Sequence, residues 1–502
     1  MAESRPATHS EWAGGATAPL HDWMERQYRL SATAMLSAIS ATHLVKDRSA
    51  FGQVIRPAKG SVLASPIIAS YDPDPDYFFH WIRDSAIVID ALRRLIVDGT
   101  IAGAGLANEE IDRFKDFLAF SAKLSGLDGG AFLAQAGDFR DKVDPAFLQY
   151  VRSDDDLRDI TGERVLGEPR FNPDGGLDIL KWSRPQHDGP AMRALVLLRF
   201  WRLDAVGDSE TRARMRALIE QDLAFTHRHW RQPSFDIWEE ELGRHYYTRL
   251  VQRAALADGA RWMNDIGDSA RADALEQAGE EVARHLDDYW SPAKGYYLSR
   301  LGAPAETAEK ELDIAVILAV IHADRKEGPH SILDPKALAT LIRLEDLFAS
   351  RYPINRAAPD DCGPAMGRYA GDRYYSGGAY YFATLAAAQF YFRLAEAAAV
   401  GAVLPESPEF RDILGRLAAN SMKNNGSGPG PSARGPAHFD ALLRRGDQFM
   451  ATVRAYAPAS GELSEQFDQA TGAQTSAKSL AWSHAAFITA YASRGAALGA
   501  AA

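Results

Sequence analysis

Apolar residues return at steps of three and four through most of the chain, as in Met215, Leu218, Ile219 and Leu223, or in Leu385, Tyr391 and Leu394 within the alanine-rich run TLAAAQFYFRLAEAAA. That step collects them on one face of a helix. About a dozen such stretches are present. They begin near Trp23, Trp81, Glu109, Asp188, Ser209, Arg244, Ser269, Lys310, Pro335, Gly378, Pro408, Phe439 and Ser476. Alternation with a period of two is scarce, and only Gly60–Ala69 (GSVLASPIIA) and Gly295–Leu298 read as short strands.

Between the helices run polar connections rich in glycine and proline, and these hold almost every unusual cluster: SYDPDPDYFFHWIRDS, GEPRFNPDGG with KWSRPQHDGP, QPSFDIWEEELG, GRYAGDRYYSGG and GELSEQFD. Function sits preferentially on such loops. Helices whose successive connections all carry polar and aromatic clusters predict an all-α protein, a closed α/α barrel with one functional end. One domain is expected over residues 1–502. The stretch Asn424–Pro436 (NNGSGPGPSARGP) has the composition of a linker. It reads instead as a long surface loop within that domain, because Glu465 beyond it has to act together with Glu239.

Composition narrows the chemistry. A content of 46% hydrophobic and 25% charged residues is ordinary for a globular chain of 502 residues. The net charge of −11 argues against binding to nucleic acid, which needs clustered Lys and Arg. The longest apolar run, Ile314–Ile321, is far short of the roughly 20 residues that span a bilayer. It is expected to be a buried helix, with no membrane partner. A lone cysteine, Cys362, excludes an internal disulfide framework and a thiolate zinc cluster. His187 has no second His or Cys at ligand spacing, so neither metal nor cofactor is expected. The start MAESRPATHSEWAGG lacks a secretory pattern. The chain is expected either to stay inside the cell or to be a matured form of a secreted or periplasmic one.

The run Ser234–Gly243 (SFDIWEEELG) sets three acids, Glu239, Glu240 and Glu241, after Trp238 and beside a proline-marked break. Carboxylates next to an aromatic platform suit a sugar site. Breaking a glycosidic bond takes one carboxyl group to protonate the leaving oxygen and a second carboxylate to activate water or attack the sugar. Adjacent acids point to different faces, so one run cannot supply both. Glu465 in GELSEQFD is the candidate partner. A solvated acidic helix start is the plainer account of Glu239–Glu241.

Other clusters also carry two readings. Arg83 and Asp84, at the start of a helix beside Trp81, form either an intrahelical pair or a grip on sugar hydroxyls. In KWSRPQHDGP, Trp182 is expected to face a sugar ring, whereas Asp188 reads as a helix cap. Arg368, followed by several tyrosines, is a surface cation patch or a substrate contact. Trp482 has the spacing of core packing with Phe487 and Ile488.

Taken in order, these clusters resemble the glucoamylases of glycoside hydrolase family 15. The resemblance rests on VLASP with PDYFFHWIRDSAIVI, GEPRFNPDG with WSRPQHDGPAMRA, FDIWEEELG with HYYTRLVQRAAL, GRYAGDRYYSGGAYYFATLAAA, and LSEQFDQATGAQTSAKSLAWSHAAFITA. It implies an (α/α)6 barrel of six inner and six outer helices and release of glucose, with inversion, from the non-reducing ends of α-glucans. Glu239 is then the general acid and Glu465 the general base. Inversion places two such carboxyls roughly 6.5–9.5 Å apart. Arg83 and Asp84 are implied to grip the terminal glucose. Trp182, Asp236, Trp238, Glu240 and Arg368 are implied to line that site and the next one outward, with Trp482 as a wall. His187, Ala370 and Tyr380 depart from the family pattern, where arginine, proline and tryptophan are usual. Trehalose and α-1,6-glucan stay open as substrates. The expected partner is an α-glucan oligosaccharide bound by a monomer without a starch-binding module.

Overall fold

A computed structural model describes residues 19–70, 73–99, 106–302, 305–359, 361–404, 408, 410–412, 414–415 and 438–502. The Asn424–Pro436 loop lies outside the described residues, as does most of the stretch beginning at Pro408. In chain order the long helices are α1 (Leu20–Ser37), α2 (Ile82–Asp98), α3 (Leu106–Ser125), α4 (Asp188–Trp201), α5 (Ser209–His229) and α6 (Tyr246–Asp265). They continue as α7 (Ser269–Leu286), α8 (Ala315–Ala323), α9 (Pro335–Arg351), α10 (Tyr381–Ala399), α11 (Phe439–Tyr456) and α12 (Ala481–Ala501). The strands among the described residues are two to four residues long, so the all-α expectation holds. Among the described residues, no helix is long and apolar enough to cross a membrane.

The chain forms two compact units, one of residues 34–285 with 480–482, the other of residues 1–33, 286–479 and 483–502. In the first, α4 is the hub. Its residues from Asp188 to Leu198 are all buried, and it packs against α2, α5 and α6. A helix apolar on every side belongs in the interior. Gly189 permits the close approach of α2, since a Cβ there would lie 2.9 Å from that of Ile82. Arg193, buried in α4, is held bidentately by Asp222 of α5 at 2.8 and 2.7 Å, as a buried guanidinium requires. By contrast α5 buries one stripe, Met215, Leu218, Ile219, Asp222 and Thr226, and is capped by the Asp208 side chain.

Two small ladders fix the chain ahead of the helices. His80–Trp81 pairs with Arg170–Phe171, setting Trp81 opposite Arg170. Ser234–Phe235 pairs with the strand Leu242–His245 in the register Ser234↔Gly243, leaving Asp236–Glu241 as the connecting loop.

In the second unit the apolar run from Ile314 becomes the buried helix α8, as expected. It packs on α9 and α10, and α10 lies along α11. A ladder of Ala379–Tyr380, Gln466–Phe467 and Gln474–Thr475 pairs Tyr380 with Gln466, which sets Glu465 at its edge.

Sequence and structure differ at particular points. Gly60–Ala69 is not a strand and contributes an isolated bridge, Val62↔Ile39, whereas Tyr296–Tyr297 does pair, with Trp290–Ser291. The helix expected from Lys310 begins at Ala315, whose N–H is captured by the Asp313 carboxylate at 2.7 Å. The helix expected from Ser476 begins at Ala481, because Ser476 and Ser479 both adopt left-handed backbone.

Gly446 of α11 faces Phe392 of α10, and a Cβ at that position would come within 2.3 Å of the ring. Alanine improves helix propensity by about 1 kcal/mol over glycine, but overpacking a rigid core costs about 1–3 kcal/mol. Gly446→Ala is therefore expected to destabilise the protein by about 1 kcal/mol net, read as a lower urea midpoint at unchanged slope.

Candidate active site

The Asp236–Glu241 loop is a tight turn between two strands and not a helix start. Asp236 builds it. Its Oδ1 accepts the backbone N–H groups of Glu240 and Glu241, both at 2.8 Å, and its carbonyl accepts that of Glu239 at 2.9 Å. Glu239 is thereby held in left-handed backbone with φ of 65°, a conformation unfavourable for a residue with a Cβ. The Ser183 hydroxyl donates to its carbonyl oxygen.

This geometry aims the Glu239 side chain away from bulk water, with 12% of it exposed. Three donors converge on the carboxylate. The Trp81 indole and the Gln186 amide reach Oε1 at 2.7 and 2.8 Å, and the Trp182 indole reaches Oε2 at 2.5 Å. Arg83 Nη2 approaches Oε1 at 3.6 Å.

Arg83 gathers the remaining charge. It is buried at the start of α2, with Asp84 Oδ2 at 3.2 Å from Nη2 and Asp188 Oδ2 at 3.2 Å from Nη1. Nη1 also donates to Gln186 Oε1 at 3.0 Å. Burial works against the guanidinium charge, but Asp84, Asp188 and Glu239 outweigh it and hold its pKa above the ordinary range. The carboxylates answer in kind. Burial pushes Asp84 up to about 6, with Arg83 opposing and Glu239 and Asp188 reinforcing the rise. Asp188 is likewise raised, chiefly by burial.

Trp182 is 37% exposed beside this cluster, and Trp482 is buried with its ring centroid 5.9 Å from the Arg83 guanidinium carbon. Trp238 is half-buried and Glu240 exposed on the same turn. The first unit thus brings together Arg83, Asp84, Trp182, Glu239 and Trp482, with Asp236, Trp238 and Glu240 on the supporting loop. His187, where the family pattern has arginine, is buried and pushed down to about 3 by burial, with His229 and Arg249 adding to the effect.

The second unit carries Glu465 and Arg368. Glu465 is half-buried, accepts from Ser476 Oγ, and is anchored by its own N–H to Ala477 O at 2.8 Å. Arg368 is buried and gripped by Asp372 through Nε at 2.6 Å and through Nη2. Tyr369, Tyr374 and Tyr380 surround its guanidinium, with ring centroids 5.3–5.5 Å away. Burial holds the Tyr380 phenol far above its ordinary range, opposed by Arg368 and reinforced by Asp372 and Glu465. Among the described residues, no group of three His, Cys, Asp or Glu is arranged to hold a metal ion.

Two aspartates have structural partners that the sequence does not show. Asp188 is the first residue of α4, one past its N-cap His187, and its Oδ2 accepts from Arg83 Nη1 at 3.2 Å. Asp236 directs one carboxylate oxygen at backbone N–H groups, which makes it the builder of the Glu239 turn. The contacts of Gln186, Ser183 and the Trp81 indole N–H with Glu239 are ones the sequence does not single out. The signal was present in WSRPQHDGP, where polar residues follow a tryptophan at short spacing, but nothing in the spacing shows which of them meets Glu239.

A family model for the glycosyl hydrolases of family 15 matches residues 48–124 and 146–492. Glucoamylase 1 of Rhizopus oryzae is 29% identical over 511 residues, covering 98% of this chain and 74% of that protein. Glucoamylase of Blastobotrys adeninivorans is 29% identical over 461 residues, covering 86% and 67%. Among solved structures, a glucoamylase from Hormoconis resinae aligns with a TM-score of 0.74 at 28% identity, over 95% of this chain and 74% of that one. A glucoamylase from Hypocrea jecorina gives 0.74 at 25% identity, over 95% and 72%. These neighbours are (α/α)6 barrels, and the chain shares that fold class.

Asp84 supplies a test of the buried charge. Its ordinary value is 3.8 and its folded value about 6, so between those pH values the folded protein holds a proton that the unfolded chain has released. Its contribution to stability accordingly falls as pH rises through that window, by at most about 3 kcal/mol. Asp84→Asn is expected to remove this loss. The variant should match the parent in urea denaturation near pH 4 and exceed it near pH 7.

Proposed function

The chain belongs to the glycosyl hydrolases of family 15, and on that premise we propose that it is an exo-acting, inverting α-glucosidase of the glucoamylase type. It releases β-D-glucose from the non-reducing ends of starch-type oligo- and polysaccharides. The reading invokes no cofactor and no partner chain.

One observation carries it: a glutamate held in unfavourable backbone, its carboxyl oriented by two indoles and an amide, beside a buried Arg83–Asp84 pair. A fold holds strain of this kind where geometry serves chemistry. Glu239 gives its proton to the glycosidic oxygen as the bond to the anomeric carbon breaks. Glu465 takes a proton from the attacking water, whose oxygen arrives on the opposite face of the sugar ring and inverts the centre. The Ser476 hydroxyl orients the Glu465 carboxylate for that task. Arg83 and Asp84 offer a donor fork and an acceptor to vicinal hydroxyls, the pattern that a terminal glucose presents. Trp182, Trp238 and Trp482 supply flat apolar walls, and Glu240 and Arg368 add polar contacts. Asp236 serves by holding the turn.

A second reading, hydrolysis of α-1,6-glucan or trehalose, follows from Tyr380. Its ring is buried and its hydroxyl accepts from Gln466 at 2.7 Å, whereas the family pattern has tryptophan there. Initial rates on maltotriose, isomaltose and trehalose separate the two.

The first-formed sugar from maltotriose, followed by proton NMR, is expected to be the β-anomer; an initial α-anomer rejects inversion. Glu239→Gln and Glu465→Gln are each expected to lower kcat by about 10²–10⁴. The rate profile of the parent should be bell-shaped in the acidic range.

A further inference from the structure

Arg170 stands opposite Trp81 on the two-stranded ladder and is 1% exposed. Its Nε donates to Asp178 Oδ2 at 2.8 Å, yet Nη1 and Nη2 have no hydrogen-bond partner. Aromatic faces take their place. The guanidinium carbon lies 3.6 Å from the centroid of Trp182, 4.1 Å from Phe79 and 5.2 Å from Trp81. A planar cation attracts the ring quadrupole most strongly where water is excluded, as it is here.

Behind Arg170 runs a relay of buried charge. Asp178 Oδ2 also accepts from Arg184 Nη2 at 3.1 Å, and Glu168 Oε2 accepts from Arg184 Nε at 2.6 Å and from Arg152 Nη1 at 2.9 Å. Three arginines against two carboxylates leave one positive charge in excess, and the relay ends on the guanidinium that faces the rings. Both indoles that donate to Glu239 belong to those rings, Trp81 to Oε1 and Trp182 to Oε2.

We infer that Arg170 is a positioning residue for the general acid: stacked on Trp182 and Trp81, it fixes the planes of both indoles and thereby the place of the Glu239 carboxyl. Its charge also polarises the two N–H groups toward the carboxyl they hold. The inference rests on the reading of Glu239 as the acid.

A substrate whose leaving group needs little protonation separates this role from a merely structural one. For Arg170→Met, kcat on maltotriose is expected to fall roughly tenfold, part of the 10²–10⁴ that a positioned acid supplies, with KM within about twofold. On 4-nitrophenyl α-glucoside the loss should be about twofold or less, because nitrophenolate departs with little help from an acid. Arg170→Lys, which keeps the charge without the flat face, should lie between parent and Met on maltotriose and show the same contrast. Equal losses on the two substrates, a change confined to KM, or parental kcat in Arg170→Met overturns the inference. Where Arg170→Met does not fold, the contrast in Arg170→Lys decides in the same way. Glu239→Gln is measured alongside. If it stays active, the assignment of the acid falls; if it is inactive while Arg170→Met behaves as parent, only the role of Arg170 falls.

Discussion

One buried guanidinium, Arg83, answers to three carboxylates, Asp84, Asp188 and Glu239, and the first unit is arranged around that imbalance. A medium that solvates charge poorly cannot hold three ionised carboxyls around one cation, and two features answer to that. Asp84 retains a proton until about pH 6, and Glu239 is furnished with neutral donors from Trp81, Trp182 and Gln186. The cluster is costly to bury, and burial strengthens each of its interactions with a polar ligand. The helices around it supply rigidity. The buried hub α4 carries Asp188 at its first turn, and α2 carries Arg83 and Asp84 at its own.

The polar groups are aimed by short ladders and turns while the helices hold them in place. Pairing Trp81 with Arg170 puts an indole against a guanidinium before α2 begins. Pairing Phe235 with Leu242 closes the loop on which Glu239 stands. In the second unit the pairing of Tyr380 with Gln466 places Glu465 next to the Tyr380 ring and Arg368 close by. Strands of two to four residues suffice, because each has only to fix a few side chains at a helix entrance.

Much of this could be read in the chain. The three- and four-residue periodicity located most helices to within a few residues, since burial of one face is what that spacing encodes. It failed at Lys310 and Ser476, where the side chain of Asp313 and left-handed serines delay the helix, effects that periodicity does not carry. The acids and aromatic residues were visible as clusters on loops. Who touches whom was not. That Asp236 would hold backbone and Asp188 a guanidinium depends on turns and helix packing set by distant residues. Gln186 reaches Glu239 across 53 positions of sequence, a pairing that no local pattern contains.

The backbone of residue 239 has a consequence for what can replace the glutamate there. A side chain there costs the fold about 1–2 kcal/mol that glycine would save. On the role proposed for Glu239, glycine or asparagine at this position would relieve that backbone cost only by giving up the acid and leaving the Trp81, Trp182 and Gln186 donors without their acceptor.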